Sequence, residues 1–335
     1  MLTDSFKITD TYLPEDTRKA MANVQVIDNF ALKLNKAARF VPKNEDDGNK
    51  FKFYKANKGK VFFLPDSFFG GINFEQIAGR HNRNINALNI AVSVCSGSID
   101  QRMIVGIGNE SVYDTSITLH HVYGFPYIPA SAVKGVVRNL MISEIFGDNS
   151  TGLVPMVEQK YPLVNAEYRA YQDIGFCKLF GCPAKVKSTP FADGEPLNNT
   201  PLSLKTSLGK EYQGRILFFD AYPLSKPNIE VDIMTPHYMP YYNEGEPPAD
   251  YYDPKPIPFL TVGGKTRFEF LFGIKEKDNE LFSASEKHKN SVFDSKKPLD
   301  VIKEWIEKAL TQHGIGAKTA VGYGYMKACE IGGAS

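Results

Sequence analysis

The chain has 335 residues, of which 42% are hydrophobic and 12% aromatic, and its formal net charge is +1. This length and composition predict a globular protein with one sizeable core or two smaller ones, and they exclude a disordered chain. No run of about 18 apolar residues occurs, and the N-terminal residues lack the basic and apolar segments of a secretory signal. We therefore expect a cytoplasmic protein without a membrane span, in which the four scattered cysteines stay reduced.

The charges are separated along the chain although they nearly cancel. Residues 31–60 hold nine Lys or Arg against three acidic residues, whereas residues 241–256 hold four acidic residues against one lysine. A near-neutral protein that binds nucleic acid needs this kind of separation into patches. The alternative for both segments is ordinary solvated surface.

The first 88 residues predict a mostly helical and irregular N-terminal extension. In chain order its predicted elements are a helix at 30–40, a lysine-rich loop, a strand-like segment at 60–65 and a helix at 74–88. The segments that follow are a first core strand at 89–95, a glycine-bearing turn at 103–109 and an extended stretch at 117–129.

Residues 131–146 predict the clearest helix, since their apolar residues fall at helical spacing on one face. Ser131 is expected to cap its start, and Gly147 follows its end. The later predicted elements are a helix at 166–180, strands at 214–221, 229–234 and 266–274, a helix at 298–311 and a strand at 321–329. Residues 235–258, rich in proline and tyrosine, are too irregular for core structure and predict an insertion.

The order strand, helix, strand, strand, helix, strand is that of the split βαβ or ferredoxin-like folds. The sequence therefore predicts an α+β protein with a ferredoxin-like (RRM-like) core at residues 89–330. Large insertions interrupt this core, and the N-terminal extension packs on it. Such a sheet is a common platform for RNA.

Two cations, Lys134 and Arg138, lie four residues apart on the predicted 131–146 helix. Like charges at this spacing repel and cost a free helix a few tenths of a kcal/mol, a cost that a phosphate partner would reverse. Gly135 costs the helix about 1 kcal/mol relative to alanine, which the close approach of another backbone would explain. The alternative is a solvated polar face with a tolerated glycine.

A second notable segment, residues 314–324, has four glycines: Gly314, Gly316, Gly322 and Gly324. Glycines permit positive φ angles and expose backbone N–H groups, so such a loop can form an anion-binding nest to which Lys318 adds charge. A Walker A nucleotide site needs a glycine directly before its lysine, and Ala317 stands there instead. The alternative is a tight turn from a helix into a strand.

These segments together resemble the RAMP superfamily of CRISPR-associated proteins. The resemblance rests on PYIPASAVKGVVR at 126–138 and GIGAKTAVGYG at 314–324, with shorter matches in LFG at 179–181 and GRILFFDA at 214–221. Within the superfamily, residues 106–135 are most similar to the sixth subunit of the Cmr module of type III-B effectors. Ala130 departs from the glycine usual in the family, and we expect a slightly stiffer turn there.

The resemblance implies a non-catalytic subunit that binds guide CRISPR RNA near its 3′ end and caps a filament of backbone subunits in antiviral defence. It implies target RNA and other Cmr subunits (backbone, small and capping) as partners, with no cofactor and no metal. The residues that it assigns to RNA binding are Gly106, Gly108, Ser131, Lys134, Gly135, Arg138, Gly314, Gly316, Lys318, Thr319 and Gly322. By position, the 235–258 insertion resembles a thumb whose Tyr238, Tyr241 and Tyr242 stack on bases.

Two other functions stay open. The first is a metal-independent, guide-processing ribonuclease of the RAMP type, with His120 or His313 as general base. His120 and His121 are neighbours in the predicted extended stretch, where they would point to opposite faces and not serve one site easily. The second is a purely protein-binding cap.

The remaining candidates for chemistry have weaker signals. Cys177 and Cys182 have a zinc-like spacing, but no second pair completes a site, so they are predicted to be structural thiols. Asp220 follows an apolar strand and is predicted to be a turn or core partner. No motif matches the aspartate that cleaves target RNA in these complexes, and Asp28 and Asp114 stay open for that role.

Overall fold

The structure, a computed structural model, describes part of the chain. The described residues are 13–24, 27–36, 40–41, 50–51, 69–111, 113, 115–147, 166–188, 191–192, 195–196, 202–235, 245, 247, 256–282 and 291–333. No helix among them is long and apolar enough to cross a membrane. Most of the basic 31–60 segment, the strand-like 60–65 segment and Asp114 lie outside these residues.

Helices and strands alternate in a mixture that agrees with the predicted α+β class. The helices are α1 (Glu15–Ala20), α2 (Phe30–Asn35), α3 (Phe74–Asn86), α4 (Ala130–Phe146), α5 (Ala166–Gln172), α6 (Ile174–Phe180) and α7 (Pro298–Lys308). A π-helical turn at Ala309–His313 extends α7, and 3-10 turns lie at Glu276–Asp278 and Thr319–Val321.

The strands differ greatly in length. They are β1 (Phe40–Val41), β2 (Lys50–Phe51), β3 (Ile90–Ile99), β4 (Arg102–Met103), β5 (Gly181–Cys182), β6 (Lys185–Ser188), β7 (Phe191–Ala192), β8 (Glu195–Pro196), β9 (Leu202–Lys205), β10 (Tyr212–Gln213), β11 (Leu217–Phe218), β12 (Tyr222–Pro223), β13 (Ile229–Met234), β14 (Ile257–Gly263), β15 (Arg267–Lys275) and β16 (Met326–Gly333). Four small two-stranded sheets are formed by β1 with β2, β5 with β10, β6 with β9 and β7 with β8.

The central sheet is antiparallel and has the order β11–β15–β3–β16, with β12 also paired to β15. Successive side chains of a strand point to opposite faces, and β3 accordingly buries every second residue from Ser93 to Ile99. Its register places Cys95 opposite Phe270 of β15 and Ile331 of β16. The buried Phe268, Phe270 and Phe272 of β15 share the inner face with Cys95.

Helices α4 and α7 cover this inner face. They contact each other, and α7 also contacts β3 and β15. In α4 the buried Val133, Val137 and Met141 recur every four residues, and in α7 Ile302 and Ile306 do the same, which is the spacing of a core-facing helical stripe. Each such buried side chain contributes roughly 1.5–3 kcal/mol to folding.

The opposite face of the sheet is partly covered by α3. This helix begins where Asn73 Oδ1 accepts a hydrogen bond from the backbone N–H of Gln76 at 2.9 Å, and it contacts β3 and β12. The ring of His81 lies 4.5 Å from that of Tyr222 on β12. The N-terminal part of the chain therefore contacts the outer face of the sheet.

The predicted insertion connects two strands that pair regularly with each other. Strand β13 pairs with β14 from Ile229 opposite Val262 to Met234 opposite Ile257, and β4 pairs with the end of β14, with Met103 opposite Val262. The connection between β13 and β14 carries Tyr238, Tyr241 and Tyr242, which lie outside the described residues. Their predicted stacking role stays a prediction.

Several predicted elements have different bounds in the structure. The helix predicted at 30–40 ends at Asn35, and Phe40 lies in the short strand β1. The predicted helix at 166–180 is two helices, because Asp173 caps α6 by accepting from the backbone N–H of Phe176 at 2.8 Å. The predicted strand at 214–221 is replaced by the short β11 and β12. The helix predicted to end at 311 ends regularly at Lys308 and continues as a π-turn. The last strand begins at Met326, since Thr319–Val321 is a 3-10 turn.

The predicted cap of α4 is also wrong. The helix begins at Ala130 with Pro129 at the cap position, so Ser131 lies inside the first turn and makes no capping hydrogen bond. The cap comes from a distant part of the chain, where Asp220 Oδ1 accepts from the backbone N–H of Ala130 at 2.7 Å. Asp220 thus has the structural role that the sequence predicted for it.

Candidate nucleic-acid interface

Residues 314–324, called the glycine loop below, fold tightly against the turn that follows β4. Gly316 has φ +100°, and a Cβ atom there would lie 2.2 Å from the carbonyl oxygen of Ile104. Gly324 has φ +77°, and its Cβ would lie 2.0 Å from the carbonyl oxygen of Ile315. Only glycine combines these φ angles with such close backbone contact, which explains two of the four glycines.

Backbone hydrogen bonds fix the base of the glycine loop and leave its tip open. The N–H of Ala317 donates to Ile104 O at 2.8 Å, and the N–H of Gly324 donates to Arg102 O at 2.7 Å. Within the described part of the chain, the N–H groups of Lys318, Thr319 and Ala320 have no acceptor. Lys318 has a left-handed conformation with φ +62°. Consecutive free N–H groups around such a residue form the nest that binds anions.

The side chain of Lys318 is held at the edge of this nest. Its Nζ lies 5.5 Å from the centre of the Phe259 ring on β14, within the range of a cation–π contact. It forms no ion pair with any acidic side chain that the structure describes. Its charge is therefore available to an anion at the tip of the loop.

The Gly106 turn adjoins the glycine loop. Gly106 has φ +80°, and a Cβ there would meet Thr118 Oγ1 at 2.2 Å. The neighbouring Ile104 and Val105 are the residues that a Cβ on Gly316 would strike. A Cβ on Gly108 would meet open space, so no close contact in the described part of the chain requires a glycine at this position.

An ionic network links the glycine loop to the β13–β14 hairpin. Arg102 donates from Nε to Glu230 Oε2 at 2.9 Å and from Nη1 to Asp232 Oδ2 at 2.5 Å. The hydroxyl of Tyr323, in the glycine loop, donates to the same Asp232 oxygen. Burial alone would raise the pKa of Asp232, but the hydrogen bonds from Tyr323 and Ile233 and the charge of Arg102 lower it overall.

Sequence reasoning missed this network. A usable signal was present, because Glu230 and Asp232 are separated by one residue in a predicted strand and must share a face. Two carboxylates on one face repel each other, and a nearby cation relieves this repulsion. What the sequence did not show was which of its arginines lies beside them. Arg102 has this role because β4 pairs with the end of β14.

The cations of α4 differ in how free they are. Arg138 donates from Nη2 to Glu167 Oε1 at 2.6 Å and to the Tyr171 hydroxyl at 2.7 Å, so it is engaged inside the chain. Lys134 has no acidic partner among the residues described. Burial, and secondarily the charge of Arg138, lowers the pKa of Lys134. A ligand anion would therefore find Lys134 unpaired and Arg138 already occupied.

Ser131 and Gly135 lie on the exposed side of α4. A Cβ on Gly135 would meet nothing within 4 Å. Within the described part of the chain, no backbone therefore approaches closely enough to require glycine at this position. The structure thus brings the Gly106 turn and the glycine loop together, and it places Ser131, Lys134, Gly135 and Arg138 on a separate element.

The predicted separation of His120 and His121 is wrong. The chain turns at 121–123, and the backbone N–H of Gly124 donates to His120 O at 2.7 Å. The two imidazole rings therefore stack with their centres 5.1 Å apart. His120 also contacts Tyr123, Phe125, Tyr127 and Tyr222. Burial, followed by the charges of His121 and His81, lowers its pKa against an opposing effect of Asp220.

The weaker candidates form no metal-binding cluster in the described part of the chain. No group of three or more His, Cys, Asp or Glu residues is placed to hold a metal ion there. Cys177 and Cys182 are buried free thiols, as predicted for structural residues. His313 ends the π-turn before the glycine loop, and Asp28 is an exposed residue just before α2.

Comparison with known proteins finds a matching family model and two similar curated proteins. The model of the RAMP superfamily matches residues 98–327. The CRISPR system Cmr subunit Cmr6 of Pyrococcus furiosus is 35% identical over 249 residues, which are 67% of this chain and 64% of the relative. The corresponding Cmr6 of Saccharolobus solfataricus is 25% identical over 235 residues, which are 69% of this chain and 55% of the relative. The matched region thus spans less than two thirds of these curated relatives.

A solved structure is also similar. It is a type III-B Cmr-beta complex bound to cognate target RNA, with 19% identity and a TM-score of 0.47, covering 79% of this chain and 69% of that one.

Proposed function

The chain belongs to the RAMP superfamily, and on that basis we propose that it is an RNA-binding, non-catalytic subunit of a type III-B CRISPR (Cmr) effector complex. In this role it binds guide CRISPR RNA near its 3′ end and caps the filament of backbone subunits. Its partners are guide and target RNA and the neighbouring Cmr subunits, in the cytoplasm. The identity of its curated relatives, both Cmr6 subunits, supports the choice within the superfamily.

The proposed core is ferredoxin-like. Its support is the chain order β3, α4, β11–β12, β15, α7, β16 together with the sheet order β11–β15–β3–β16. This is the order of a split βαβ unit, with both helices on one face. On this reading residues 1–88 are an extension of which α3 rests on the other face.

The glycine loop is the observation that carries the proposed function. It offers consecutive backbone N–H groups without acceptors in the described chain, next to the unpaired Lys318. Such a nest recognises phosphate by geometry and charge and does not read bases. The binding that it supports is thus largely independent of RNA sequence and strongly dependent on salt.

A salt titration of single-stranded RNA binding tests this proposal. We expect Lys318→Gln to reduce the slope of log affinity against log salt by roughly one, because one phosphate contact is lost. Lys134→Gln should do the same if α4 faces the RNA. Lys303→Gln is the matched control, since Lys303 on α7 already pairs with Asp300 at 3.3 Å, and its slope should equal that of the wild type.

Two outcomes would contradict the proposal. An unchanged slope in Lys318→Gln would remove the glycine loop from the RNA site. A wild-type chain that neither binds nor protects RNA, alone or in the assembled complex, would favour a protein-binding cap instead.

A guide-processing ribonuclease is a second candidate, and one observation favours it. The stacked His120 and His121 bring two imidazoles together, and imidazoles are the side chains most often used in general acid–base catalysis. This function predicts that the purified chain cleaves RNA in the presence of a metal chelator and that His121→Ala abolishes cleavage. RNA that stays intact after long incubation at neutral pH would exclude it.

A further inference from the structure

The chain makes a tight, fixed turn at residues 120–124. The backbone N–H of Gly124 donates to His120 O at 2.7 Å. Asn29, at the start of α2, holds the turn from outside, because its Nδ2 donates to Val122 O at 2.8 Å. Gly124 has φ +74°, and a Cβ there would lie 2.5 Å from Asn29 Oδ1. Since the start of α2 packs this closely against the turn, a ligand that binds the turn has little conformational freedom to remove from it.

His121 is the exposed outer ring of an aromatic cluster. One side of its imidazole lies on the ring of His120, with 5.1 Å between the ring centres and 11° between the planes. The ring of His120 is itself fixed by packing against four others, those of Tyr123, Phe125, Tyr127 and Tyr222. Among the described residues, no further aromatic ring packs against His121. Its outer side is therefore free to stack with a planar ligand.

Arg80 of α3 brings a positive charge to the edge of this cluster. Its guanidinium carbon lies 5.8 Å from the centre of the Tyr123 ring, and its Nη2 donates to the Tyr123 hydroxyl. Arg80 is exposed and forms no ion pair with any acidic side chain in the described part of the chain. Asp220 also acts on His120, but its Oδ1 already accepts from the backbone N–H of Ala130 at 2.7 Å. The charge of Arg80 is thus available to an anion.

The 120–124 turn lies near the proposed RNA groove. The backbone N–H of Thr118 donates to Val105 O at 2.8 Å, and a Cβ on Gly106 would meet Thr118 Oγ1. His121 follows Thr118 by three residues, which span at most about 11 Å. The Gly106 turn adjoins the glycine loop, so an RNA strand whose phosphates occupy that loop can reach His121.

The chemistry of the cluster favours RNA over a protein partner. The 120–124 turn has one exposed apolar side chain, that of Val122, and a single such residue is ordinary protein surface. An exposed ring beside an unpaired cation is the combination with which proteins bind single-stranded nucleic acid. We propose that His121 stacks on a base of the bound RNA and that Arg80 contacts a phosphate near it. This inference rests on the proposed function and extends its RNA site beyond the glycine loop.

Single-stranded RNA with 2-aminopurine in place of one base at a time tests the stacking, because stacking quenches the fluorescence of this base. The full chain should quench the probe at one position or at adjacent positions. His121→Ala should abolish this quenching and weaken binding at least about fivefold. At pH 8, where histidine side chains are ordinarily uncharged, the salt slope should stay unchanged in this variant.

His121→Phe is the matched variant, because it keeps an aromatic ring and removes both ring nitrogens. It should quench the probe and bind within about twofold of the wild type. Since His121 is exposed, both variants should unfold at the wild-type urea midpoint. A ribonuclease that uses His121 as acid or base would instead be inactive in His121→Phe and His121→Ala alike.

The phosphate contact is tested by salt titration. Arg80→Gln should reduce the slope of log affinity against log salt by roughly one, and Arg80→Lys, which keeps the charge, should restore it. Lys303→Gln is again the control and should have the wild-type slope, because Lys303 is paired with Asp300. An unchanged slope in Arg80→Gln would remove Arg80 from the site.

Three results would overturn the stacking. They are wild-type quenching and affinity in His121→Ala, loss of both in His121→Phe, and normal RNA binding by a His121→Ala chain that no longer joins the effector complex, which would show that the turn contacts protein. Each of these can occur while Lys318→Gln still lowers the salt slope, so this inference can fail alone. A wild-type chain that binds no RNA, by itself or in the assembled complex, would overturn both proposals.

Discussion

The contact between Tyr323 and Asp232 joins the glycine loop to the β13–β14 hairpin, and its removal gives the most specific prediction. Tyr323→Phe deletes one hydroxyl and leaves Asp232 paired with Arg102 at 2.5 Å, so no buried charge loses its partner. Asp232→Asn removes the charge and keeps the shape. A double-mutant cycle of these two substitutions isolates the energy of the contact.

The expected size follows from how exposed the network is. A hydrogen bond to a charged group contributes about 1.5–3 kcal/mol when shielded from water. The side chains of Arg102 and Asp232 are 42% and 22% exposed, and solvent screening reduces such contacts toward about 1 kcal/mol. We therefore expect Tyr323→Phe to lower the free energy of unfolding by about 1 kcal/mol, with a coupling of about 0.5–1 kcal/mol in the cycle.

The pH dependence of the coupling has a defined sign. The folded chain lowers the pKa of Asp232 below its ordinary value of 3.8. The stabilisation from its carboxylate is thus complete above that value and is lost as the pH falls through the lower, folded-state pKa. The coupling should be constant from pH 7 to pH 5 and should disappear in stronger acid.

Urea unfolding followed by the fluorescence of Trp305, the only tryptophan of the chain, measures these energies. Tyr325→Phe is the matched control, since no described residue accepts a hydrogen bond from that hydroxyl. RNA binding should weaken in Tyr323→Phe without a change in salt slope, because no cation is removed. A coupling of zero, or an effect of Tyr325→Phe equal to that of Tyr323→Phe, would refute the reasoning.

Three other predictions concern single side chains. Gly316→Ala should lower the free energy of unfolding in urea by more than about 1 kcal/mol, because the new Cβ would clash with the carbonyl oxygen of Ile104. Gly322→Ala adds a Cβ in open space and should cost about 1 kcal/mol for its positive φ alone. Equal costs of the two substitutions would contradict this reasoning. Glu269→Gln should raise the urea midpoint at pH 8, since burial raises that pKa and disfavours the charged form, and the gain should shrink toward pH 4.5 as the carboxyl protonates; a lower midpoint at pH 8 would contradict the assignment. The fold lowers the pKa of His120, so its neutral imidazole stabilises the fold fully above pH 6.5 and less as the pH falls below that value. In His120→Gln the free energy of unfolding should therefore fall less between pH 7.5 and 5.5 than in the wild type. An unchanged pH profile would show that other groups cause the decrease.

Long periodic segments were predictable from sequence. The predicted helix at 131–146 and the strand at 229–234 agree with the structure to within one residue, because apolar residues recur at helical spacing in the first and alternate with polar residues in the second. The first core strand was underestimated. It continues four residues beyond 95 through Ser96, Gly97 and Ser98, small residues with weak strand propensity that pairing with β15 and β16 holds in place.

Contacts between distant segments were not predictable from sequence. Asp220 caps α4 from 90 residues away, and Arg138 is paired with Glu167, so two residues with clear local interpretations have long-range partners. The backbone conformation of the glycine loop was predictable, because positive φ is a local property of glycine. Its attachment to β13 through Tyr323 depends on the folded arrangement.

The pairing of β3 with β16 sets a constraint on the order of folding. Strand β3 ends at Ile99, but its two neighbours begin at Arg267 and Met326. During synthesis, the central strand therefore leaves the ribosome long before either neighbour exists, and closing this sequence separation is slow. The nascent chain exposes the edges of β3 until β15 and then β16 are made, which favours aggregation. A chaperone that shields this strand, or prompt assembly after release, would protect it, whereas truncation before residue 326 would leave the edge permanently unpaired.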